Sequence, residues 1–336
     1  MMVESNHPIT FLTLQAGQQP SLRRPAAISK TPEVMAILRE RLKLLTPSAV
    51  NRYMRCQLMF FYYYISGLSE LDEVEEDVID NRVFGNIFHL AAQLLYKRLT
   101  EQSPVVTKEA LNRLLDTEVD IHRAVDEAIR KELKSNDLNG LQLINREVII
   151  RYLHQLLEID RRLAPFTILG LERLVKMPYR VSTTGDTFNL GGTVDRLDLV
   201  TVADGSQRIR VVDYKTGSRR LKTLADVEAI FDQESLKDHS DYYLQTFLYS
   251  HIVSQQSNGL PVSPALLFIQ HAGSDDYDPT LCLSKAPVTD IAAVAGPFME
   301  RLDSIIADLF APDTAFVPTE ERQRCRPCPY AALCGI

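Results

Sequence analysis

The stretch IRVVDYKTG at residues 209–217, together with GGTVDRLD at residues 191–198, decides the fold. Both are short apolar runs that carry acidic residues, and a turn-forming sequence, ADGS, lies between them. They predict two adjacent antiparallel strands joined by a turn. Side chains two positions apart on a strand share a face, so Asp213 and Lys215 point the same way. Asp195, on the preceding strand, can meet Asp213 across the hairpin.

Two facing carboxylates beside a lysine indicate a metal-dependent phosphodiesterase centre. Facing carboxylates repel each other unless a cation lies between them, and hard oxygen ligands favour Mg²⁺ or Mn²⁺. Lys215 beside such an ion can orient or help to deprotonate a water for in-line attack on a phosphodiester. Asp198, three positions from Asp195, faces the other side of the strand. There we expect a structural ion pair with Arg196 or Arg210.

A D-x-K pattern alone is common, and it also fits a polar strand end beside a turn. Three features favour a site. The glycine pair at residues 191–192 lets the backbone approach closely next to Asp195. The turn at residues 216–217 ends the strand sharply and leaves Lys215 at an open edge. The hairpin spacing also places the two aspartates on neighbouring strands.

Hydrophobic periodicity divides the chain into a helical part and a sheet core. Helical spacing covers residues 46–66, 81–99, about 108–163, 241–257 and 288–310, and strand-like runs cover 166–181, 188–202, 208–214 and 265–270. We predict an α/β fold with a central mixed sheet flanked by helices, plus a helical N-terminal region. The predicted domain spans residues 46–336, with a helical part at 46–164 and a sheet core and cysteine tail at 165–336. Residues 1–45, which contain four prolines, are expected to be a leader or linker, or the end of a preceding domain.

Composition narrows the class of protein. The chain has 336 residues and a formal net charge of −7, which excludes a surface that is basic throughout but allows a local basic groove. It contains no apolar run of about 18 residues and no signal-peptide pattern, so we expect a cytoplasmic protein without membrane contact. No Walker A motif is present, so ATP-driven motor activity is not expected from this chain.

Three of the five cysteines lie close together near the end of the sequence. An odd number of cysteines in a cytosolic chain argues against a disulfide framework. Cys325, Cys328 and Cys334 are spaced C-x₂-C-x₅-C, which suits one metal centre with a fourth ligand from elsewhere. Cys56 and Cys282 are the candidates for that ligand. The spacing alone fits either zinc or an iron–sulfur cluster.

The two strand motifs resemble motifs II and III of the PD-(D/E)XK nuclease superfamily. The resemblance is closest to the RecB-type branch and to AddB nuclease domains of bacterial helicase–nucleases. Two further motifs of these proteins follow in the expected order, GNIFH at residues 85–89 and QTFLY at residues 245–249. The resemblance covers about residues 46–336 and implies a restriction-endonuclease-like core.

The resemblance also implies a role for each motif residue. Taken alone, a histidine on an apolar helix face is usually a core residue, and a glutamine on an amphipathic helix is usually surface. The resemblance implies metal binding by His89, Asp195, Asp213 and the Tyr214 carbonyl, and catalytic roles for Asp195, Asp213, Lys215, Gln245 and the first-strand acid Glu172.

Candidate DNA contacts lie next to this centre. Arg219, Arg220 and Lys222 follow the lysine strand directly, and Tyr249 belongs to the QTFLY motif. Charge runs are also common on solvated surfaces. The position of these three basic residues beside the centre favours phosphate contacts. Since no base-reading motif is present, we expect DNA binding without sequence specificity.

The resemblance assigns the cysteines to a [4Fe–4S] cluster held by Cys56, Cys325, Cys328 and Cys334. Zn²⁺ is the alternative metal. Gln57 follows the first cysteine, where these proteins often have proline. Such a cluster is expected to be structural, because it clamps together two distant parts of the sequence.

The resulting hypothesis is an Mg²⁺-dependent deoxyribonuclease of AddB/RecB type. We expect an exonuclease that processes DNA ends in recombinational double-strand-break repair, with a helicase subunit or domain as partner. Two alternatives remain open: a non-cleaving DNA-binding or scaffold module of a helicase–nuclease, and a stand-alone nuclease of the CRISPR-adaptation type.

Overall fold

The computed structural model describes residues 25–68, 79–135, 137–202, 204–217, 221–271 and 277–336. Its helices are α1 (Pro32–Arg41), α2 (Pro47–Arg55), α3 (Gln57–Phe60), α4 (Asn81–Leu99), α5 (Lys108–Thr117), α6 (Val119–Leu133), α7 (Gly140–Leu163), α8 (Glu228–Phe231), α9 (Ser240–Ser254) and α10 (Ala295–Phe310). Its strands are β1 (Ile28–Ser29), β2 (Leu44–Leu45), β3 (Val105–Val106), β4 (Phe166–Arg180), β5 (Thr187–Thr201), β6 (Gln207–Lys215), β7 (Val262–Phe268), β8 (Cys282–Leu283), β9 (Ala286–Pro287) and β10 (Ala315–Phe316). Within these ranges, no helix has both the length and the apolar character needed to cross a bilayer.

Six strands form one mixed sheet, in the order β3-β4-β5-β6-β7, with β2 also paired to β5. Strands β4, β5 and β6 form the predicted antiparallel meander. Strand β7 lies parallel to β6, which requires a crossover connection, and α9 lies within that connection. Because β4 pairs along nearly all of one edge of β5, strands β2 and β6 share the other edge.

Two hydrophobic cores lie on opposite faces of this sheet. One is built against α2, α9 and α10, and the other against α4, α6 and α7. Side chains alternate between the faces of a strand, so Val211 of β6 belongs to the first core and Val212 to the second. This arrangement confirms the predicted α/β fold with a central mixed sheet flanked by helices and a helical N-terminal region.

The structure refines the predicted helix limits. The single helix predicted over residues 46–66 is wrong, because Cys56 has an extended backbone (φ −166°, ψ 118°) that separates α2 from α3. A π-helical turn, Phe61–Ile65, then continues α3. Helix α4 has the predicted limits. Helix α10 begins at Ala295 rather than at residue 288, because a short 3₁₀ turn, Ile291–Ala293, precedes it.

Residues 28–45 pack onto the sheet domain. Strand β1 pairs with β10, and β2 pairs with β5. The buried Lys30 donates from Nζ to the Asp308 carbonyl at 2.5 Å and to Thr314 Oγ1 at 2.8 Å. Residues 1–24 of the predicted leader lie outside the described residues. The division into a leader and one domain stays a prediction.

Candidate active site

Three acidic residues occupy one row across strands β4, β5 and β6. Leu171 and Arg173 pair with Arg196 and Val194, which puts Glu172 opposite Asp195. On the other edge of β5 the pairing ends at Arg196 with Val212, so the next position sets Asp195 opposite Asp213. Neither position of this row forms a regular strand pair. The row therefore lies where β6 parts from β5 and where the β4–β5 ladder is locally interrupted.

The conformation of Glu172 brings its carboxylate into the site. The register of β4 shifts between Ile168 and Gly170, which is a β-bulge. Glu172 itself has φ 46°, a left-handed conformation that few non-glycine residues adopt. As a result, donor atoms of Glu172, Asp195 and His89 all lie within 4.8 Å of one another.

His89 reaches this row from helix α4. Its Nδ1 lies 3.2 Å from Asp195 Oδ1. One turn earlier, Gly85 faces the end of β6, and a Cβ at that position would lie 3.8 Å from Thr216 Oγ1. Such a Cβ would make only an ordinary van der Waals contact, so α4 lies directly next to the end of β6 at this point.

Asp195 is also held from the neighbouring strand. The backbone N–H of Tyr214 donates to Asp195 Oδ2 at 2.7 Å, which uses an amide that the interrupted pairing leaves available. The ring of Tyr214 lies edge-on to His89 and to Phe88, with centroids 5.8 Å apart in each pair. Tyr214 thus contacts two of the predicted metal ligands, and its own carbonyl belongs to the same strand end.

Asp213, Lys215 and Gln245 form a second group next to the first. Lys215 Nζ lies 2.6 Å from Asp213 Oδ2, and Gln245 Nε2 donates to Asp213 Oδ1 at 2.8 Å. Lys215 Nζ also donates to Gln245 Oε1 at 3.5 Å and lies 4.5 Å from the centroid of the Tyr242 ring. Helix α9 therefore sets the position of the lysine and of one aspartate through a single glutamine.

The predicted DNA-contacting residues differ in their exposure to solvent. Tyr249 is only 6% exposed. Its hydroxyl packs on Gly192 so closely that a Cβ there would come within 2.3 Å. Lys222 is exposed and pairs with Asp238 at 3.0 Å. Arg219 and Arg220 lie outside the described residues.

The charges of the row act strongly on one another because the groups are buried. Burial and the charge of Asp195 raise the pKa of Glu172 to about 7. Burial, together with Asp195, also raises the pKa of Asp213 despite the nearby Lys215. The pKa of Asp195 is lowered: burial opposes ionisation, but His89 and the Tyr214 amide outweigh it. For His89, burial opposes protonation, but Asp195 outweighs it and raises the pKa.

This donor set fits a divalent cation. It offers one imidazole nitrogen and several carboxylate oxygens, and such oxygen-rich sets suit Mg²⁺ or Mn²⁺. The acids outnumber the cations next to them, and a bound cation would offset that surplus of negative charge. His89, Glu172, Asp195 and Asp213 are the side chains that could hold it.

A buried ionic network lies behind the site. Arg196 binds Asp160 through two N–H groups at 2.6 and 2.9 Å, and its Nε lies 2.9 Å from Asp198. Arg210 donates to Asp198 at 2.8 Å. The predicted pairing of Asp198 with Arg196 or Arg210 is confirmed with both partners. Sequence reasoning missed Asp160, although its spacing from Leu153, Leu156 and Leu157 puts it on the buried face of α7.

The four cysteines predicted to share a metal centre come from two segments that contact each other. All five cysteines are free thiols. Burial raises the pKa of Cys334, and the neighbouring Cys56, Cys328 and Cys325 raise it further. The backbone N–H of Val317 donates a hydrogen bond to Gln57 Oε1 at 2.9 Å, which links the two segments. Among the described residues, no three cysteine sulfurs lie within 4.8 Å of one another.

The model of the PD-(D/E)XK nuclease superfamily matches residues 44–335. The match covers the acidic row, the α9 glutamine and the cysteine segments. No curated protein matches the chain significantly.

Proposed function

Because the chain belongs to the PD-(D/E)XK nuclease superfamily, we propose that it is a metal-dependent deoxyribonuclease that hydrolyses phosphodiester bonds of DNA. The observation that carries the proposal is the convergence of His89, Glu172 and Asp195 within 4.8 Å. Lys215 lies beside this group, on the third strand of the row. Chance placement of polar residues at a strand end does not account for ligands that converge from two strands and a helix.

Mg²⁺ or Mn²⁺ is the cofactor that this site suits. His89, Asp195, Asp213, Glu172 and the Tyr214 carbonyl would hold it. When bound, such an ion polarises a phosphoryl oxygen and makes a water more nucleophilic at neutral pH.

The chain's own residues supply positioning and charge. Lys215 puts a positive charge next to Asp213, where it orients or helps to deprotonate the attacking water and stabilises negative charge on the phosphate. Gln245 holds both Asp213 and Lys215, so it fixes the distance of the lysine from the acidic row. The Tyr242 ring lies against the ammonium group and restricts its movement.

We further propose an exonuclease of AddB/RecB type that processes DNA ends in recombinational double-strand-break repair. The order of the four motifs, GNIFH, GGTVDRLD, VVDYKTG and QTFLY, supports this assignment. A helicase partner would supply the ATP-driven unwinding, for which this sequence carries no Walker A motif. A cytoplasmic location agrees with this role.

A [4Fe–4S] cluster held by Cys56, Cys325, Cys328 and Cys334 is part of the proposal. Burial and then the nearby Cys56 raise the pKa of both Cys325 and Cys334, and this proximity supports a shared centre. Zn²⁺ is the alternative metal, since four cysteine thiolates also bind zinc tetrahedrally.

The nuclease proposal is tested by digestion of end-labelled single- and double-stranded DNA with Mg²⁺. The wild type should cut, and EDTA should stop it. Asp213→Ala and Lys215→Ala should abolish cutting without unfolding the protein, whereas Lys285→Ala, which changes an exposed lysine, should cut normally. Retained cleavage in both site variants would refute the assignment. DNA binding by a wild type that does not cut would favour a scaffold module instead.

The cluster is tested by anaerobic purification. Brown protein with broad visible absorbance and about four irons per chain is expected. Cys56→Ser should lose the colour, and Cys282→Ser should keep it. A colourless wild type with one zinc per chain would contradict the cluster, and cluster-free protein that folds and cuts normally would show that activity does not depend on it.

A further inference from the structure

Two stacked rings at the start of α9 lie next to Lys215. The ammonium nitrogen of Lys215 lies over the ring of Tyr242, 4.5 Å from its centroid. The imidazole of His239 is parallel to that ring, with the two centroids 4.7 Å apart and the planes inclined by 10°. Within the described residues, His239 forms no hydrogen bond or ion pair with Lys215. Any effect of His239 on the lysine therefore passes through Tyr242.

Tyr242 covers the point where Lys215 leaves the sheet. Its ring packs on Phe268, with centroids 6.2 Å apart. Phe268 of β7 is the residue that pairs with Lys215 of β6, and partners in a ladder project from the same face of the sheet. A lysine side chain is long and flexible, so its ammonium group keeps a fixed position only where other groups confine it. The Tyr242 ring is one of those groups.

The backbone of His239 sets the place of its ring. The residue has φ 64°, a left-handed conformation, and it joins a 3₁₀ turn, Gln233–Asp238, to α9. Histidine is one of the few non-glycine residues that adopt this conformation comparatively often. Tyr242 follows three positions later, so the two side chains meet across the first turn of the helix.

The imidazole contributes its face rather than its nitrogens. Its Nε2 is buried without a hydrogen-bond partner among the described residues, and its Nδ1 lies 3.8 Å from Asp241 Oδ1, beyond hydrogen-bond distance. Helix α2 holds the same turn: Arg55 donates to Asp241 Oδ2 at 3.1 Å, and Asn51 Nδ2 donates to the Asp241 carbonyl at 3.4 Å. The turn is therefore anchored, and the ring is free to act by stacking.

We infer that His239 is a positioning residue for the proposed nuclease reaction, because its ring fixes the plane of Tyr242 and Tyr242 confines the Lys215 ammonium group beside Asp213 and Gln245. The inference rests on the proposed function. It gives the start of α9 a role in aligning the lysine, and it requires no contact of His239 with DNA or metal.

The kinetic test measures Mg²⁺-dependent DNA cleavage by the full-length protein. His239→Asn keeps a residue that tolerates the left-handed backbone but removes the ring. It should lower kcat on the order of tenfold and change KM by less than about twofold, because a displaced lysine slows the chemical step without weakening substrate binding. His239→Phe restores a flat ring and should recover most of kcat. His122→Asn makes the same change on α6 and should leave both constants unchanged.

A double-mutant cycle tests the route through Tyr242. Adding His239→Asn to Tyr242→Leu should cause no further loss of kcat, because the ring that His239 orients is already absent. If the two losses simply multiply, His239 acts independently of Tyr242 and the inference is wrong.

A second measurement follows the lysine without any cleavage. Protein labelled with ¹³C at the lysine Cε positions gives one NMR signal per lysine, and the Lys215 signal is the one that Lys215→Arg removes. The face of the Tyr242 ring should shift this signal upfield. The shift should disappear in Tyr242→Leu, decrease in His239→Asn and return in His239→Phe. An identical Lys215 signal in His239→Asn and the wild type would overturn the inference.

The outcomes separate the positioning role from the nuclease function. If the wild type cuts DNA and His239→Asn cuts with the same kcat, the positioning role is wrong and the nuclease stands. Equal losses in His239→Asn and His239→Phe would also overturn it, because the stack would not be what matters. If the wild type does not cut DNA with Mg²⁺ although the Lys215 signal responds as expected, the proposed function fails while the stack still orders the lysine.

Discussion

Asp195 and Arg196 are adjacent in the sequence but belong to two polar clusters of opposite design. Asp195 joins Glu172 and Asp213 in the acidic row, where carboxylates outnumber the neighbouring cations. Arg196 faces the other side of β5 and joins a fully buried network with as many arginines as aspartates. The rings of Tyr96, Phe166 and Tyr214 surround its guanidinium at 5.0–5.7 Å.

The two clusters differ in charge balance, and this balance distinguishes a structural cluster from a binding cluster. A buried network whose charges cancel calls for no further ion, even though the buried Nε of Arg210 finds no acceptor among the described residues. A row with surplus negative charge remains incomplete until a cation binds. Strand alternation lets one short motif, GGTVDRLD, supply both clusters at once.

Substitutions in the acidic row should have the largest effect on activity, and they should leave the protein folded. Asp213→Asn should slow cleavage at least about 10⁴-fold, because it removes a proposed metal ligand and the charge that holds Lys215. Relief of repulsion with Asp195 offsets the lost ion pair, so the unfolding free energy should change by less than about 1.5 kcal/mol. Digestion rates and urea unfolding measure the two quantities. A variant that cuts at the wild-type rate would show that Asp213 is dispensable.

The buried network should behave in the opposite way. Arg196→Met leaves Asp160 and Asp198 without their main partner and should lower the unfolding free energy by about 3–5 kcal/mol. Arg39→Met breaks an exposed ion pair with Asp186 at 2.7 Å. This substitution should lower the unfolding free energy by less than about 1 kcal/mol. Urea unfolding of both variants provides the comparison. Equal losses would show that burial does not distinguish the two pairs.

Metal should stabilise the protein only through the acidic row. A ligand at one hundred times its dissociation constant stabilises the folded state by about 2.7 kcal/mol, so Mg²⁺ or Mn²⁺ should raise the unfolding free energy by that order. Asp195→Asn should abolish the gain, and Asp313→Asn, which alters an exposed acid, should preserve it. Unfolding curves with and without the metal give the result. Equal gains in both variants would place the metal elsewhere.

The smallest expected effect comes from a titratable group outside both clusters. Burial lowers the pKa of His251 on α9 below its ordinary value of 6.5, although Asp303 opposes this. As pH falls below about 6.5, the unfolded chain binds the proton more readily than the folded one, so the unfolding free energy decreases. The decrease cannot exceed about 1.4 kcal/mol per pH unit.

His251→Gln supplies the control for this pH dependence. The difference in unfolding free energy between the variant and the wild type should be constant above pH 7 and should move in favour of the variant as pH falls below 6.5. Urea unfolding at several pH values measures it. Parallel curves for the two proteins would show that His251 does not titrate differently on folding.

Strand periodicity made the central part of the site predictable. Asp213 and Lys215 share a face because they are two residues apart, and Asp198 turns away from Asp195 because it is three residues on. The same rule predicted the ion pairs of Asp198 correctly. The turn-forming sequence between the two strand motifs was then enough to predict the hairpin of β5 and β6.

Other parts of the site depend on features that local patterns do not encode. Glu172 reaches the row only because a β-bulge at Leu169 and its own left-handed backbone redirect it. Asp160 comes from α7, and its partner on β5 is set by how the helix packs on the sheet. The break at Cys56 was likewise hidden within a sequence of good helical spacing. The resemblance to a family, rather than periodicity, indicated His89 and Gln245.

The pairing of β1 with β10 has a consequence for synthesis on the ribosome. Ile28 pairs with Phe316, so one of the first described segments to be translated can pair only after one of the last has been made. Strands β2 and β5 repeat the pattern on a shorter scale. Contacts between distant parts of a chain slow folding, because a long loop must close before they form. The β1–β10 pair should therefore form only when nearly all of the domain has left the ribosome, and the edges of these two short strands stay exposed until then.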